Sequence, residues 1–215
     1  IYNIHQDSRG FIWLASPNGI SRFDGYSFVN YGLENDLEDT LIHDSVEDGD
    51  GVIWFGTSSS GAYRFDPRIK ASENIKNDFE LIRVAETPGS NRVFSFCKTK
   101  NGRIFTATYG GLYLLDSKEK TFSRIELNLP KTDRDFQVFS IAEDLRGSLW
   151  IGHQFGLSRI TPNNAIVNYE ITPQETGNDR IHSVAIDGQN RVWFVSEKQR
   201  AVVFNPEPLD QIDTS

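Results

Sequence analysis
Cysteine occurs once, at Cys97, so the chain can form no internal disulfide. No apolar run approaches the roughly 18 residues that span a bilayer, and the charged start and short apolar core of a signal peptide are missing. The stretch is therefore expected to be a mature or excised piece. Basic residues are outnumbered, 22 Lys and Arg against 30 Asp and Glu, which gives a net charge of −8 and a pI near 5.0. That balance argues against nucleic acid as a partner, because phosphate binding needs clustered Lys and Arg. There is no G-x-S-x-G elbow, no Gly-rich phosphate loop ahead of a helix, and no Cys or His pair at metal-ligand spacing. No cofactor and no metal site are expected. Methionine is absent altogether, and that absence has no physical account.

What is present is one unit written five times. Asp7-Ser-Arg-Gly10-Phe-Ile-Trp13 returns as Asp48-Gly-Asp-Gly51-Val-Ile-Trp54 and Thr99-Lys-Asn-Gly102-Arg-Ile-Phe105. It returns again as Asp144-Leu-Arg-Gly147-Ser-Leu-Trp150 and Asp187-Gly-Gln-Asn190-Arg-Val-Trp193. The copies recur roughly every 40 to 50 residues, the period of a propeller blade. Asp at the first turn position and Gly at the fourth is the preferred chemistry of a type I turn, and Asn190 tolerates the left-handed backbone that Gly supplies elsewhere. Thr99 is the weak substitute.

Ahead of each turn stand "IYNIHQ", "IHDSVE", "VFSFCK", "VFSIAE" and "IHSVAI", read as inner strands. After it stand "FIWLAS", "VIWFGT", "RIFTAT", "SLWIGH" and "RVWFVS", nearly continuous apolar runs that suit strands covered on both faces. Third strands follow, and outer strands in four copies ("YSFVNYG", "FELIRV", "TFSRIEL", "AIVNYEI"). Two positions past the aromatic come Ala15, Gly56, Ala107, Gly152 and Val195, mostly small, as close sheet packing would need. The fold class is all-β: a β-propeller of four-stranded antiparallel blades, at about 1–37, 38–88, 89–130, 131–175 and 176–215. The polar stretches 67–78 and 172–180 read as surface loops. The last blade lacks an outer strand, and no spare N-terminal strand completes it. Five blades of a larger, seven-bladed propeller are expected, with a self-contained five-bladed ring as the alternative.

The stretches "IHQDSRGFIWLASPNGISRFDGYSF" and "VEDGDGVIWFGTSSSGAYRFD" resemble the two-component regulator propeller repeat, approximately D-x-x-G-x-[LI]-W-[IVL]-G-T followed by G-[GL] and Arg-Phe/Tyr-Asp. The resemblance covers nearly the whole chain and is weakest at Thr99, Phe105 and the last third strand. It implies the periplasmic sensor part of a membrane-bound histidine kinase, hybrid two-component protein or diguanylate cyclase, with downstream membrane signalling domains. It also implies a small-molecule or oligosaccharide ligand, and is compatible with a homodimer.

One column at the head of the inner strands is aromatic throughout: Tyr2, His43, Phe94, Phe139 and His182. It either forms a packing layer or lines the channel mouth, where flat ligands stack. Two loop sets share that face. One offers Arg92, Gln137 and Arg180; the other offers Tyr109, His153, Gln154 and Arg200. The candidate ligand set is therefore Tyr2, His43, Arg92, Tyr109, Gln137, His153, Gln154, Arg180, His182 and Arg200. No catalytic residue is assigned. A propeller lyase or glycosidase, and a protein-interaction scaffold, remain alternatives; His43 with His182 is the pair that could imitate a lyase site.

Overall fold
The computed structural model describes residues 1–35, 37–69, 78–129, 136–169, 179–198 and 200–206. Nineteen strands form five antiparallel sheets in the described residues, each built from strands consecutive in the chain. Two compact units divide them, Ile1–Val138 and Phe139–Ser215. The propeller repeat thus folds as the sequence predicts, one sheet per copy. No helix in the described residues is long and apolar enough to cross a membrane.

The first unit holds three sheets. Sheet 1 is β1 (Asn3–Gln6), β2 (Ile12–Ser16), β3 (Gly19–Phe23) and β4 (Phe28–Tyr31). Sheet 2 is β5 (Ile42–Glu47), β6 (Ile53–Thr57), β7 (Ala62–Phe65) and β8 (Phe79–Ile82). Sheet 3 is β9 (Val93–Lys98), β10 (Ile104–Thr108), β11 (Gly111–Asp116) and β12 (Thr121–Ile125). The second unit holds sheet 4, β13 (Val138–Glu143), β14 (Leu149–His153), β15 (Gly156–Ile160) and β16 (Ile166–Tyr169), and sheet 5, β17 (Ile181–Ile186), β18 (Val192–Ser196) and β19 (Arg200–Phe204).

The repeated aromatic is the wedge between sheets. Trp13 of sheet 1 is fully buried and packs on Phe55 and Phe65 of sheet 2, with ring centroids 5.3 and 5.0 Å away. Trp54 shares a core with Val93, Phe96, Ile104 and Tyr113 of sheet 3. In the second unit Trp150 is covered by Ile181, Val184, Val192 and Phe194 of sheet 5. Burying each such ring removes enough apolar surface to contribute roughly 1.5–3 kcal/mol. Trp193 departs from the expectation: it is 39% exposed. Val195 is 44% exposed on the same strand, so a side chain larger than Gly or Ala is accommodated at the otherwise small position.

The small column is explained by contact. A Cβ on Gly56 would lie 2.5 Å from Val93 Cγ1 and 2.9 Å from its Cβ, across the boundary to sheet 3. Gly152 meets Ile181 and Val184 at 2.8 to 3.0 Å in the same way. Gly56→Ala is therefore expected to destabilise by roughly 1–3 kcal/mol through overpacking. Gly49→Ala, where an added Cβ meets nothing within 4 Å, is expected to be near neutral. Urea unfolding of the two variants side by side checks this.

The turn Asp does more than turn the chain. Oδ1 of Asp144 accepts the backbone N–H groups of Arg146 and Ser148, both at 2.9 Å, while Oδ2 accepts Trp150 Nε1–H at 3.0 Å. Asp7 with Trp13, Asp48 with Trp54 and Asp187 with Trp193 repeat the arrangement. A buried indole N–H must find an acceptor, and the carboxylate supplies it while closing the turn. In the third copy Phe105 has no N–H to offer, and Thr99 donates to Arg103 O and to Asn101 Oδ1 instead.

Candidate functional site
The aromatic column owes its place to a break in strand register. Along β5, Ile42 pairs with Thr57 and Asp44 with Gly56, so His43 is the extra residue of a β-bulge. Phe94 is skipped between Val93 and Ser95, and His182 between Ile181 and Ser183. A bulge re-aims the side chain of its extra residue. In the first unit these residues form a row, with Tyr2 and His43 centroids 5.6 Å apart and His43 and Phe94 6.1 Å apart. In the second unit Phe139 and His182 stand 4.9 Å apart.

Arg92 extends the first-unit row. Its guanidinium carbon lies 5.2 Å from the Phe94 ring centroid and 5.7 Å from that of Tyr109, within cation–π range of both. Arg92 is exposed, and no carboxylate in the described residues is within ion-pair distance of it. The loop beneath is rigidly tied. Asn91 is buried, accepts Val84 N–H through Oδ1 at 2.8 Å, and donates from Nδ2 to Ala85 O at 2.7 Å. Its own carbonyl accepts Gly61 N–H at 2.8 Å. Asn91 is thus a structural residue that holds the Arg92 loop in place. Tyr109 is held by a backbone bond to Arg92 O at 3.0 Å, beside Gly110, where a Cβ would fall 2.3 Å from Ser90 Oγ.

The remaining candidates separate. His153 is corrected: it is 1% exposed, and both ring nitrogens are engaged. Nδ1 accepts Phe155 N–H at 3.1 Å, so Nε2 carries the proton and donates to Ser158 Oγ at 2.8 Å, which in turn donates to Asn168 Oδ1. Burial pushes the His153 imidazole down to about 3. It belongs to a column of turn-holding side chains with Ser16, Thr57 and Thr108. Gln137 directly precedes β13 and Gln154 directly follows β14, both partly buried. Arg180 and His182 are exposed in the second unit, where Arg180 Nε stands 4.0 Å from Glu197 Oε2. The backbone of Arg200 pairs with Ser196; its side chain lies outside the described residues. Of the set, Tyr2, His43, Arg92 and Tyr109 are brought together with Phe94.

Sequence reasoning missed Asp44, next to His43. It is half-buried, and it accepts Phe96 N–H through Oδ2 at 2.7 Å and Ser45 N–H through Oδ1 at 2.9 Å. Burial raises its carboxyl to about 6 despite those donors. The His43 imidazole is held below its ordinary value, chiefly by burial and then by the Arg92 charge, so it is neutral at pH 7. No group of three or more His, Cys, Asp or Glu among the described residues is arranged to hold a metal.

Residues 36–59, which span β5 and β6, match the family model described as two component regulator propeller. No curated protein matches the chain in sequence. The extracellular domain of BT3049, assigned as a hybrid two component system of B. thetaiotaomicron, superposes with a TM-score of 0.69 at 22% identity over 96% of this chain and 28% of that one. The extracellular domain of BT4673, assigned likewise, gives 0.62 at 21% identity over 100% and 32%. Virginiamycin B lyase from Staphylococcus aureus gives 0.67 at 14% identity over 95% and 69%. At these identities the likeness shows the propeller fold. The chain spans less than a third of the two hybrid-system domains.

Proposed function
We propose, for a chain that carries the two-component regulator propeller repeat, that it is a non-catalytic, ligand-sensing module on the extracytoplasmic side of a membrane-bound two-component-type signalling protein. The observation that carries this reading is the first-unit row of Tyr2, His43, Phe94, Arg92 and Tyr109 on bulges and tied loops. Flat rings beside a guanidinium suit a saccharide, which offers an apolar face and hydroxyls together. Loops on a rigid scaffold are where a recognition site can vary without disturbing the core. Signalling through downstream membrane domains then requires that the ligand favour one of two conformational states by its differential affinity.

The chemistry of the described residues supports binding over turnover. His153 has both nitrogens committed to the fold, and His43 has ring partners in the first unit while His182 has its own in the second. The test is a thermal-shift and calorimetric screen of oligosaccharides with the wild type and with Tyr2→Ala/Tyr109→Ala. At least one saccharide is expected to bind and to be recovered intact, with affinity reduced about tenfold or more by the double substitution, the loss of two stacking contacts. Mass spectrometry showing the bound saccharide cleaved would replace the sensor reading with an enzymatic one. Absence of any binding would remove the ligand site.

A further inference from the structure
Two positions of the repeat pair across the ligand face: the residue just ahead of the first strand, and the residue just after the second. Backbone bonds hold each pair, Ser58 N–H to Leu41 O, Tyr109 N–H to Arg92 O, and Glu197 N–H to Arg180 O, all at 3.0 Å. Arginine occupies the first position in two of these three pairs, with different consequences. Arg180 faces an internal carboxylate, since Glu197 occupies the second position and its Oε2 lies 4.0 Å from the guanidinium. Arg92 faces Tyr109, and its charge lies over two rings with no carboxylate beside it in the described residues. One copy of the fold thus supplies its own counter-charge, and the other leaves that place open next to stacking surfaces.

We infer that the face made by His43, Phe94, Arg92 and Tyr109 binds a saccharide bearing a carboxylate, which stands towards Arg92 as Glu197 stands towards Arg180. The inference rests on the ligand-sensing reading above and narrows it to acidic sugars. Guanidinium suits this role because its planar donors can meet both oxygens of a carboxylate, and stacking on rings restrains it before the ligand arrives. Tyr109, at 37% exposed, offers a ring to the sugar's apolar face. The protein as a whole is acidic, so a local cation with no carboxylate beside it among the described residues is where an anion can approach it.

The experiment is calorimetric titration with uronate oligosaccharides (galacturonate, mannuronate–guluronate and glucuronate-containing) and with their carboxyl-reduced, neutral counterparts, plus acetate. At least one uronate oligosaccharide is expected to bind at least tenfold more tightly than its reduced form, and binding should weaken with added salt. Arg92→Gln and Tyr109→Glu, the latter rebuilding the Arg180–Glu197 pairing, should each lower that affinity tenfold or more; Lys118→Gln, at an exposed cation in the turn between β11 and β12, should leave it unchanged. Unaltered melting temperatures would exclude misfolding of these exposed variants. Equal binding of the neutral forms, with Arg92→Gln without effect, would overturn the acidic-sugar inference and leave the sensor reading standing. Acetate binding as tightly as the oligosaccharides would reduce the site to a simple anion site and also overturn it. No saccharide binding at all would overturn both.

Discussion

Asp144→Ala is expected to lower the free energy of unfolding by roughly 3–5 kcal/mol. The carboxylate is fully buried and accepts three N–H groups, from Arg146, Ser148 and the Trp150 indole. A buried donor left without its acceptor costs about 1–3 kcal/mol, and water can rescue only part of that. Arg159, also buried, lies 3.9 Å from Asp144 and over the Trp150 ring, so the substitution additionally strips a buried cation of its nearest acid. Asp144→Asn should cost less, since its carbonyl oxygen can still take the two backbone donors while its amide faces the indole N–H. The third copy suggests a sharper test. Asp144→Thr with Trp150→Phe rebuilds what Thr99 and Phe105 do, and the double variant should be less destabilised than the two single costs added together. Strict additivity in urea unfolding would mean that the indole–carboxylate bond contributes nothing.

The second large effect is a pH dependence with one named source. The Asp44 carboxyl sits at about 6 in the folded protein, raised chiefly by burial from an ordinary value near 4. The folded state therefore binds more protons than the unfolded chain between those values, and stability falls as pH rises through that window and levels off above it. Between pH 5 and pH 7.5 the loss from this group alone is roughly 1–1.5 kcal/mol. Asp44→Ser should remove it. The same position in the fourth copy is Ser140, whose hydroxyl accepts Val184 N–H at 3.1 Å, as Asp44 Oδ2 accepts Phe96 N–H. The variant is expected to match or exceed the wild type at pH 7.5 and to lose its advantage at pH 5. Parallel stability–pH curves for the two proteins would refute the assignment to Asp44.

Much of the fold was legible because the repeat states it five times. Strand order, the turn glycines and the wedge aromatics follow from residue type and spacing, and a periodic error would have had to recur in every copy. The Asp–Trp bond was not read, though the signal was there: four copies carry Asp with Trp, and the one that changes the acid to Thr99 also changes the ring to Phe105. The aromatic column was found, but the bulge that turns it outward was not, because one extra residue in a strand leaves no mark on an apolar run. His153 was misplaced on the ligand face since its loop looked free; aligned with Ser16, Thr57 and Thr108 it is the polar residue that closes the turn. The Arg92–Tyr109 and Arg180–Glu197 pairs stand at one constant offset along the chain, yet which rings and acids approach each guanidinium depends on side-chain paths that spacing does not encode.

The unequal burial of the four tryptophans makes the protein its own optical gauge. Trp13, Trp54 and Trp150 are sealed from solvent, whereas Trp193 is open to it with its indole N–H still tied to Asp187 at 2.8 Å. Acrylamide should therefore quench one emitter of the four, the red-shifted one, and anything that comes to rest on the outer face of sheet 5 should blue-shift that component and slow its quenching while the other three stay silent.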